Sequence, residues 1–281
     1  MFARLSRSWA LAKASAAILR DDKELLLFPL CSAAALFVVS LAFILPALGL
    51  GAIDRLVDES GSIHPFGYLL AFLFYFSQYF IIFFFNAGLV GCAMLRLGGA
   101  KPTFRDGLRM ASRRAGAIAG YALIATTVGV ILRTLQERVG FIGRIIVGLI
   151  GVAWNIATFL VVPVLVADDG GPIDAVKHSA RLVKKTWGEN IIGNAGIASV
   201  FAIIGFLVIV AGVGGTIMAV MAKSVALAVI VVMLTILGLA LTFLVSSALH
   251  GIYAAALYRF ALGKPSQGFE GTALQTAFQP K

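Results

Sequence analysis

The sequence predicts an all-α, polytopic helical membrane protein with six transmembrane helices in three hairpins, each preceded by a cytoplasmic amphipathic surface helix. Of its 281 residues, 60% are hydrophobic and only 13% are charged, whereas a soluble domain carries roughly 25% charged residues. Six apolar stretches are long enough to cross about 30 Å of hydrocarbon, which takes about 20 helical residues. Basic residues are concentrated in alternate loops, as the positive-inside rule describes.

Each of the six apolar stretches is predicted to be one helix, because a chain in lipid must pair its backbone amides within the segment. The last two stretches are longer than a perpendicular helix needs. We interpret them as one long hairpin that turns near Lys223, although a glycine cluster at 212–215 offers an alternative end for the fifth helix. The predicted spans are 25–53, 66–95, 116–135, 145–167, 191–221 and 225–258.

The distribution of Lys and Arg predicts that both termini lie in the cytoplasm. With the N-terminus inside, 18 of the 23 basic residues fall on the cytoplasmic side and five on the external side. Cytoplasmic loops carry such an excess. The net charge of +10 is then explained by attraction to anionic lipid headgroups, so membrane lipids are expected partners and nucleic acid is not.

Three segments that precede the hairpins place apolar residues at spacings of three and four. They cover residues 2–19, 104–118 and 173–187. Each carries Lys or Arg away from its apolar stripe, and a helix that is apolar on one side and basic elsewhere lies in the headgroup plane. The basic residues assigned to the membrane surface are Arg105, Arg109, Arg113, Lys177, Arg181 and Lys184.

The three segments also resemble one another, which predicts three parallel repeats. Lys13, Arg109 and Lys177 align at offsets of 96 and 68, and nearby apolar positions match in that register. Because every unit enters the membrane from the cytoplasm, the repeats would be related about the membrane normal. The predicted units of this single membrane domain are residues 1–95, 96–167 and 168–260, followed by a short cytoplasmic tail at 261–281.

Two strings of residues carry a resemblance to known membrane proteins. Residues 172–187, PIDAVKHSARLVKKTW, resemble a recurrent cytoplasmic helix of uncharacterised six-span bacterial membrane proteins and of the membrane domain attached to some glycerophosphoryl diester phosphodiesterases. Residues 9–29, which begin WALAK and end DKELLLFP, are similar to the start of one such family of unknown function. The resemblance implies this architecture in a bacterial inner membrane. It implies no activity, because the catalytic phosphodiesterase domain has no counterpart in this sequence.

The sequence shows no group of residues that would support catalysis or metal binding. His64, His178 and His250 fall in a loop, a surface helix and the sixth span, and none belongs to a known catalytic motif. Asp168 and Asp169 form an adjacent carboxylate pair at the end of the predicted fourth span. We interpret the pair as a polar stop and turn, with metal or acid/base use as the alternative. We therefore expect no enzyme activity, no cofactor and no metal.

Seven uncharged polar residues within the spans are predicted to form a tier, about 8 to 12 residues from the cytoplasmic boundary. At about 1.5 Å per residue, the tier would lie about 12–18 Å deep. We interpret it as interhelical hydrogen bonding, with the lining of a cavity or pore as the alternative. The members of the polar tier are Asn86, Thr126, Thr127, Asn155, Ser246, Ser247 and His250.

Three functional hypotheses follow from these observations. The leading one is a non-enzymatic membrane protein that assembles with itself or as an accessory subunit of a larger complex, anchored by its basic surface helices. The second is a channel or facilitator lined by the polar tier. The third is a lipid-handling protein, which is motivated only by the resemblance to the phosphodiesterase membrane domain.

Overall fold

The computed structural model of the protein describes residues 15–49, 64–185 and 187–264. Within these residues all regular secondary structure is helical, which confirms the all-α class. Residues 15–21 are helical, and a 3-10 helix follows at Lys23–Leu26. Most of the predicted first surface helix and of the predicted tail lies outside the described residues. The further helices are α1 (Leu27–Gly49), α2 (Pro65–Leu97), α3 (Phe104–Arg113), α4 (Ala115–Arg138), α5 (Phe141–Ala157), α6 (Val161–Ala167), α7 (Pro172–Lys185), α8 (Trp187–Met221) and α9 (Val225–Ala261).

Six helical stretches in the described part of the chain are long and apolar enough to cross a membrane, which confirms the predicted number of spans. The longest helix, α9, has 37 residues. At about 1.5 Å per residue it is about 55 Å long, well beyond the thickness of about 30 Å of hydrocarbon. Part of α9 must therefore tilt or extend out of the lipid. The six stretches are Lys23–Pro46, Pro65–Leu97, Ala115–Arg138, Phe141–Ala167, Ala198–Met221 and Val225–Ala261.

The fourth predicted span is divided in the structure, where a turn separates α5 from α6. Pro163 has no N–H to donate to the carbonyl oxygen of Phe159, so regular helical hydrogen bonding is interrupted here. The hydroxyl of Ser179 on α7 compensates. It donates to the Ala157 carbonyl oxygen (2.7 Å) and accepts from the Leu160 N–H (3.1 Å). A helix that comes later in the sequence thus stabilises the break in the span.

The buried core lies at one end of the bundle, called here the core end. Buried residues are found in α2 from Ala87 onward, in α6, and in α9 from Ala248 onward. Helices α3 and α7 pack at the same end, each with one buried face. At the opposite end, called here the open end, apolar side chains are exposed, among them Phe66 (57%) and Met221 (79%). Packing within the chain is therefore concentrated at the core end.

Helix α8 and the first part of α9 form an antiparallel pair, called here the arm (residues 198–221 and 225–247). Their connection contains Lys223, whose φ of 55° is left-handed. The glycine cluster that offered an alternative end for the fifth helix lies within α8. The two helices approach closely where Gly212 faces Thr235, and α8 packs chiefly against α9. Among the described residues, the arm meets the core toward the core end, where Phe201 and Val245 pack against it.

Helix α3 packs closely against α2 near the core end. The lack of a side chain at Gly107 allows the approach, since a Cβ there would lie 2.8 Å from the Gly88 carbonyl oxygen and 2.7 Å from Cys92 Sγ. One turn later, Met110 lies against Gly91. Residues one turn apart on α3 therefore contact the same turn of α2.

Candidate functional site

The residues of the predicted polar tier do not share one surface in the structure. Asn86, Ser247 and His250 line a cavity between α1, α2 and α9, called here the lateral cavity. Asn155 lines another cavity between α2, α4 and α5, called here the second cavity, and Asn86 lines it as well. The structure therefore places four members of the tier on these two cavities, with Asn86 common to both.

The remaining members of the tier form hydrogen bonds close to their own positions. Thr126 donates to the Ala122 carbonyl oxygen and Thr127 to the Leu123 carbonyl oxygen, each at 2.8 Å and one turn earlier in α4. Ser246 Oγ lies 3.4 Å from Nδ1 of His250, one turn later in α9. Threonine and serine hydroxyls commonly bond to their own helix in this way, so these three side chains need no partner on another helix.

The lateral cavity has a volume of about 280 Å³. Its floor is formed by side chains that are almost fully buried, including those of Phe28 and Leu89. Its rim carries Ile82 and Phe243, which are 41% and 65% exposed. The cavity therefore opens sideways, where the arm departs from α1 and α2. Among the described residues, its lining contains no Asp, Glu, Lys or Arg.

Four polar residues line the lateral cavity: Ser32, Asn86, Ser247 and His250. Nδ1 of His250 lies 2.8 Å from the carbonyl oxygen of Ser246. Because that oxygen only accepts, this contact requires a proton on Nδ1, and in the Nδ1–H tautomer Nε2 is an acceptor. Within the described residues, neither the Asn86 amide nor the Ser247 hydroxyl has a hydrogen-bond partner. Polar groups without partners in apolar surroundings are costly, so these groups are available to a ligand.

A glycine in α9 brings the polar groups of the lateral cavity together. A Cβ at Gly251 would overlap the side chain of Leu89 and would lie 3.3 Å from Asn86 Oδ1. The lack of a side chain therefore lets α9 approach α2 at this point. As a result, Ser247 and His250, which precede Gly251 by one turn or less, lie on the same cavity as Asn86.

The second cavity is larger, at about 630 Å³, and it carries a cation. Arg133 lines it and donates to the Tyr75 hydroxyl (3.0 Å) and to the Glu137 carboxylate (3.2 Å). The guanidinium side chain is 68% exposed. Asn155, the member of the polar tier on this side, is exposed as well. The two cavities therefore differ in charge, size and access.

A polar cluster that the sequence does not predict joins α7 and α9 to the segment after α6. Oδ2 of Asp168 lies 2.7 Å from Nδ1 of His178, and Oδ1 accepts a hydrogen bond of 3.2 Å from the Tyr258 hydroxyl. The neighbouring Asp169 pairs with Arg114. The acidic pair was the only signal in the sequence. Tyr258 and Arg114 lie 90 and 55 residues away from their partners along the chain, so no local pattern identifies them.

The six basic residues assigned to the membrane surface are exposed on α3 and α7. The opposite faces are buried, at Gly107 and Ala111 in α3 and at Ala175 and Ser179 in α7. Ile173, which belonged to the predicted apolar stripe, is 60% exposed, because the contact of Ser179 with the α5–α6 turn determines which face of α7 is buried. The exposed basic residues are Arg105, Arg109, Arg113, Lys177, Arg181 and Lys184.

The start of α3 is held by reciprocal hydrogen bonds. The Thr103 hydroxyl (2.7 Å) and N–H (3.0 Å) both donate to the Asp106 carboxylate, which holds the pKa of that carboxyl below its usual range. Arg109 lies 3.7 Å from the same carboxylate. Asp106 is therefore ionised at neutral pH and completes the helix cap.

At Asp22, burial raises the pKa of the carboxyl, and the charge of Arg96 opposes that shift.

The helices and their sites define a multi-pass helical membrane protein. Within the part of the chain that the structure describes, no three His, Cys, Asp or Glu side chains are grouped so that they could hold a metal ion. A family of unknown function, DUF6159, matches residues 65–269, and the chain belongs to that family. No curated protein and no solved structure matches the chain. The expectation of an uncharacterised family is thereby confirmed.

Proposed function

We propose that this chain is a non-enzymatic protein of the bacterial inner membrane that assembles through its arm, with itself or with another membrane protein. Its spans form three hairpins, each preceded by a surface helix, and both termini lie in the cytoplasm. The observation that carries the proposal is the separation of the arm from the remaining helices, with long apolar side chains exposed along it.

The position of α3 supports a specific location of the cytoplasmic headgroup layer along α2. α3 contacts α2 at Gly88 to Cys92 and exposes three arginines. A basic surface helix binds anionic headgroups at the cytoplasmic face, so on this proposal the headgroup level falls near this contact. Asn86 is two to six residues from the contact, which is about 3–9 Å at about 1.5 Å per residue. On this proposal the polar tier is shallower than the sequence alone predicts.

The orientation predicts opposite accessibility at two exposed positions. In a chain whose Cys31 and Cys92 are replaced by alanine, Ser112→Cys on α3 is expected to react with a membrane-impermeant maleimide only after the cells are permeabilised. Lys223→Cys at the turn of the arm is expected to react in intact cells. The reverse pattern would invert the proposed orientation, and reaction of both positions from the same side would contradict it.

One face of α8 is suited to helix packing. Leu207, Val210, Gly214, Met218 and Met221 are spaced by three and four residues, so they form one stripe on the helix. At about 100° per residue, this stripe is centred about 130° away from the face of α8 that meets α9 through Gly212 and Gly215. A Cβ at Gly214 would have no heavy atom within 4 Å. Since small residues let transmembrane helices approach closely, this stripe is the proposed contact.

The proposed contact predicts the effect of filling Gly214. Gly214→Leu is expected to weaken assembly at least tenfold, about 1.4 kcal/mol, because its side chain would hold the partner helix away. The measurement is the mass of the gently solubilised complex by native mass spectrometry over a range of protein concentrations. Gly148→Leu on α5 is the matched control, since a Cβ there also has no atom within 4 Å.

The measured masses distinguish self-assembly from assembly with another membrane protein. A defined multiple of the chain mass identifies self-assembly, and an additional mass identifies another membrane protein. A strictly monomeric wild-type protein would refute assembly. Loss of assembly in Gly148→Leu with no loss in Gly214→Leu would move the contact from the arm to α5.

The non-enzymatic part of the proposal depends on the surroundings of Asp168 and His178. This pair could exchange protons, but the cavity beside it measures about 100 Å³, below the ~300–1,000 Å³ of typical ligand pockets. We therefore assign to the pair the joining of helices. Turnover of any substrate by the purified protein that is abolished by Asp168→Asn would contradict this assignment.

A further inference from the structure

Assembly through the arm leaves the lateral cavity without a role. The cavity has an apolar rim that faces sideways, a buried floor, and a polar set in which the Asn86 amide and the Ser247 hydroxyl have no hydrogen-bond partner within the described residues. In contact with hydrocarbon, such groups favour a ligand that supplies complementary hydrogen bonds.

The membrane level proposed above places this polar set close to the inner headgroups. Asn86, Leu89 and Gly251 meet at the floor of the cavity, within one turn of Gly88, which α3 contacts. The rim residues Ile82 and Phe243 lie farther from the core end, toward the hydrocarbon. The cavity therefore presents polar groups at the depth of the lipid glycerol and apolar side chains at the depth of the acyl chains.

The chemistry of the lining selects an uncharged ligand. Asn86 can donate and accept, Ser247 can do both through its hydroxyl, and Nε2 of His250 accepts in the Nδ1–H tautomer. These groups match a hydroxyl and an ester carbonyl. The described residues of the lining include no Lys or Arg, so a phosphate placed against them would lack the cationic partner that an ion removed from water requires.

The volume of the lateral cavity is sufficient for only part of a lipid molecule. Its volume of about 280 Å³ lies near the lower end of the ~300–1,000 Å³ of ligand pockets. It would hold the glycerol region and the beginning of one acyl chain. Because the rim is open, the remainder of the chains can stay in the bilayer along the first part of α9.

We propose that the lateral cavity binds the glycerol region of an uncharged, hydroxyl-bearing glycerolipid of the inner leaflet, of the diacylglycerol class. Asn86, Ser247 and His250 form the hydrogen bonds, while Ile82 and Phe243 contact the first part of an acyl chain. This site is separate from the contact proposed for assembly, so either proposal can fail without the other.

The test uses the full chain in nanodiscs of phosphatidylcholine and phosphatidylglycerol, with a diacylglycerol that carries a photoactivatable diazirine in one acyl chain. Labelling is expected on the peptides that contain Ile82 or Phe243. Unlabelled diacylglycerol should displace the probe at a concentration at least tenfold lower than phosphatidic acid with the same chains, which differs by having a phosphate in place of the hydroxyl. Equal displacement by the two lipids would overturn the assignment of an uncharged ligand.

Substitutions in the lining of the lateral cavity test whether the diacylglycerol probe binds there. Asn86→Leu and Ser247→Ala are each expected to reduce labelling about tenfold, and Ser32→Phe, which fills the cavity, to do the same. Asn155→Leu, in the second cavity, should leave labelling unchanged. Thermal unfolding in detergent identifies any variant that fails to fold. The variants that do fold then show whether the lipid binds in the lateral cavity. Labelling that persists in the folded variants, or that spreads along the outer face of the arm as bulk lipid would, overturns the proposal.

Discussion

Gly107→Ala is expected to lower the free energy of unfolding by about 2 kcal/mol or more, and to separate α3 from α2. The added methyl group would lie 2.8 Å from the Gly88 carbonyl oxygen and 2.7 Å from Cys92 Sγ, and it would overlap the ring of Phe28. The first of these atoms belongs to the backbone of α2, so moving a side chain cannot relieve the contact. Overpacking of this kind typically costs about 1–3 kcal/mol.

The measurement for Gly107→Ala is thermal or denaturant unfolding in one detergent, compared with Gly148→Ala. A Cβ at Gly148 has no heavy atom within 4 Å, and the residue lies in the interior of α5. Alanine there should leave stability unchanged or raise it by roughly 0.5–1 kcal/mol, because glycine is the poorer helix former. Equal stability of the two variants would mean that α3 does not depend on this close approach.

Ser179→Ala is expected to lower the free energy of unfolding by about 2 kcal/mol. Ser179 is fully buried, and its hydroxyl bridges the turn between α5 and α6 by donating to the Ala157 carbonyl oxygen and accepting from the Leu160 N–H. Alanine would leave a buried N–H without its partner, which costs about 1–3 kcal/mol. The same unfolding measurement checks this value.

Ser112→Ala on α3 is the matched control for Ser179→Ala. Ser112 is exposed, and exposed substitutions away from special contacts usually change stability by less than about 0.5 kcal/mol. If Ser179→Ala were no less stable than Ser112→Ala, the turn would be stabilised by packing around Pro163, without a contribution from the hydroxyl.

The sequence by itself determined the class of this protein and the number of its spans. A helix in lipid satisfies its backbone hydrogen bonds within its own segment. A run of about 20 apolar residues is therefore enough to predict a membrane span. For this reason five of the six predicted spans correspond to single helices whose described ends mostly lie within a few residues of the predicted ones. The orientation and the partners stay predictions, since they concern the membrane and other molecules. The three repeats stay a prediction as well.

Only the tertiary structure decided how these helices meet. Hydropathy is a property of a local window, whereas the decisive contacts join residues that are distant in sequence. Ser179 reaches back to the turn between α5 and α6, Asp168 meets Tyr258 on α9, and Gly251 brings α9 to Asn86 on α2.

The polar tier shows this difference most clearly. Residue type and predicted depth place its seven members together, but hydrogen bonding and cavity lining depend on which way each helix faces. Packing at the core end sets that rotation. It turns Asn86, Ser247 and His250 toward one cavity and Asn155 toward another, while Thr127 bonds to its own helix. The rotation results from close contacts between helices, such as that of Gly251 with Leu89, which no single segment of the sequence contains.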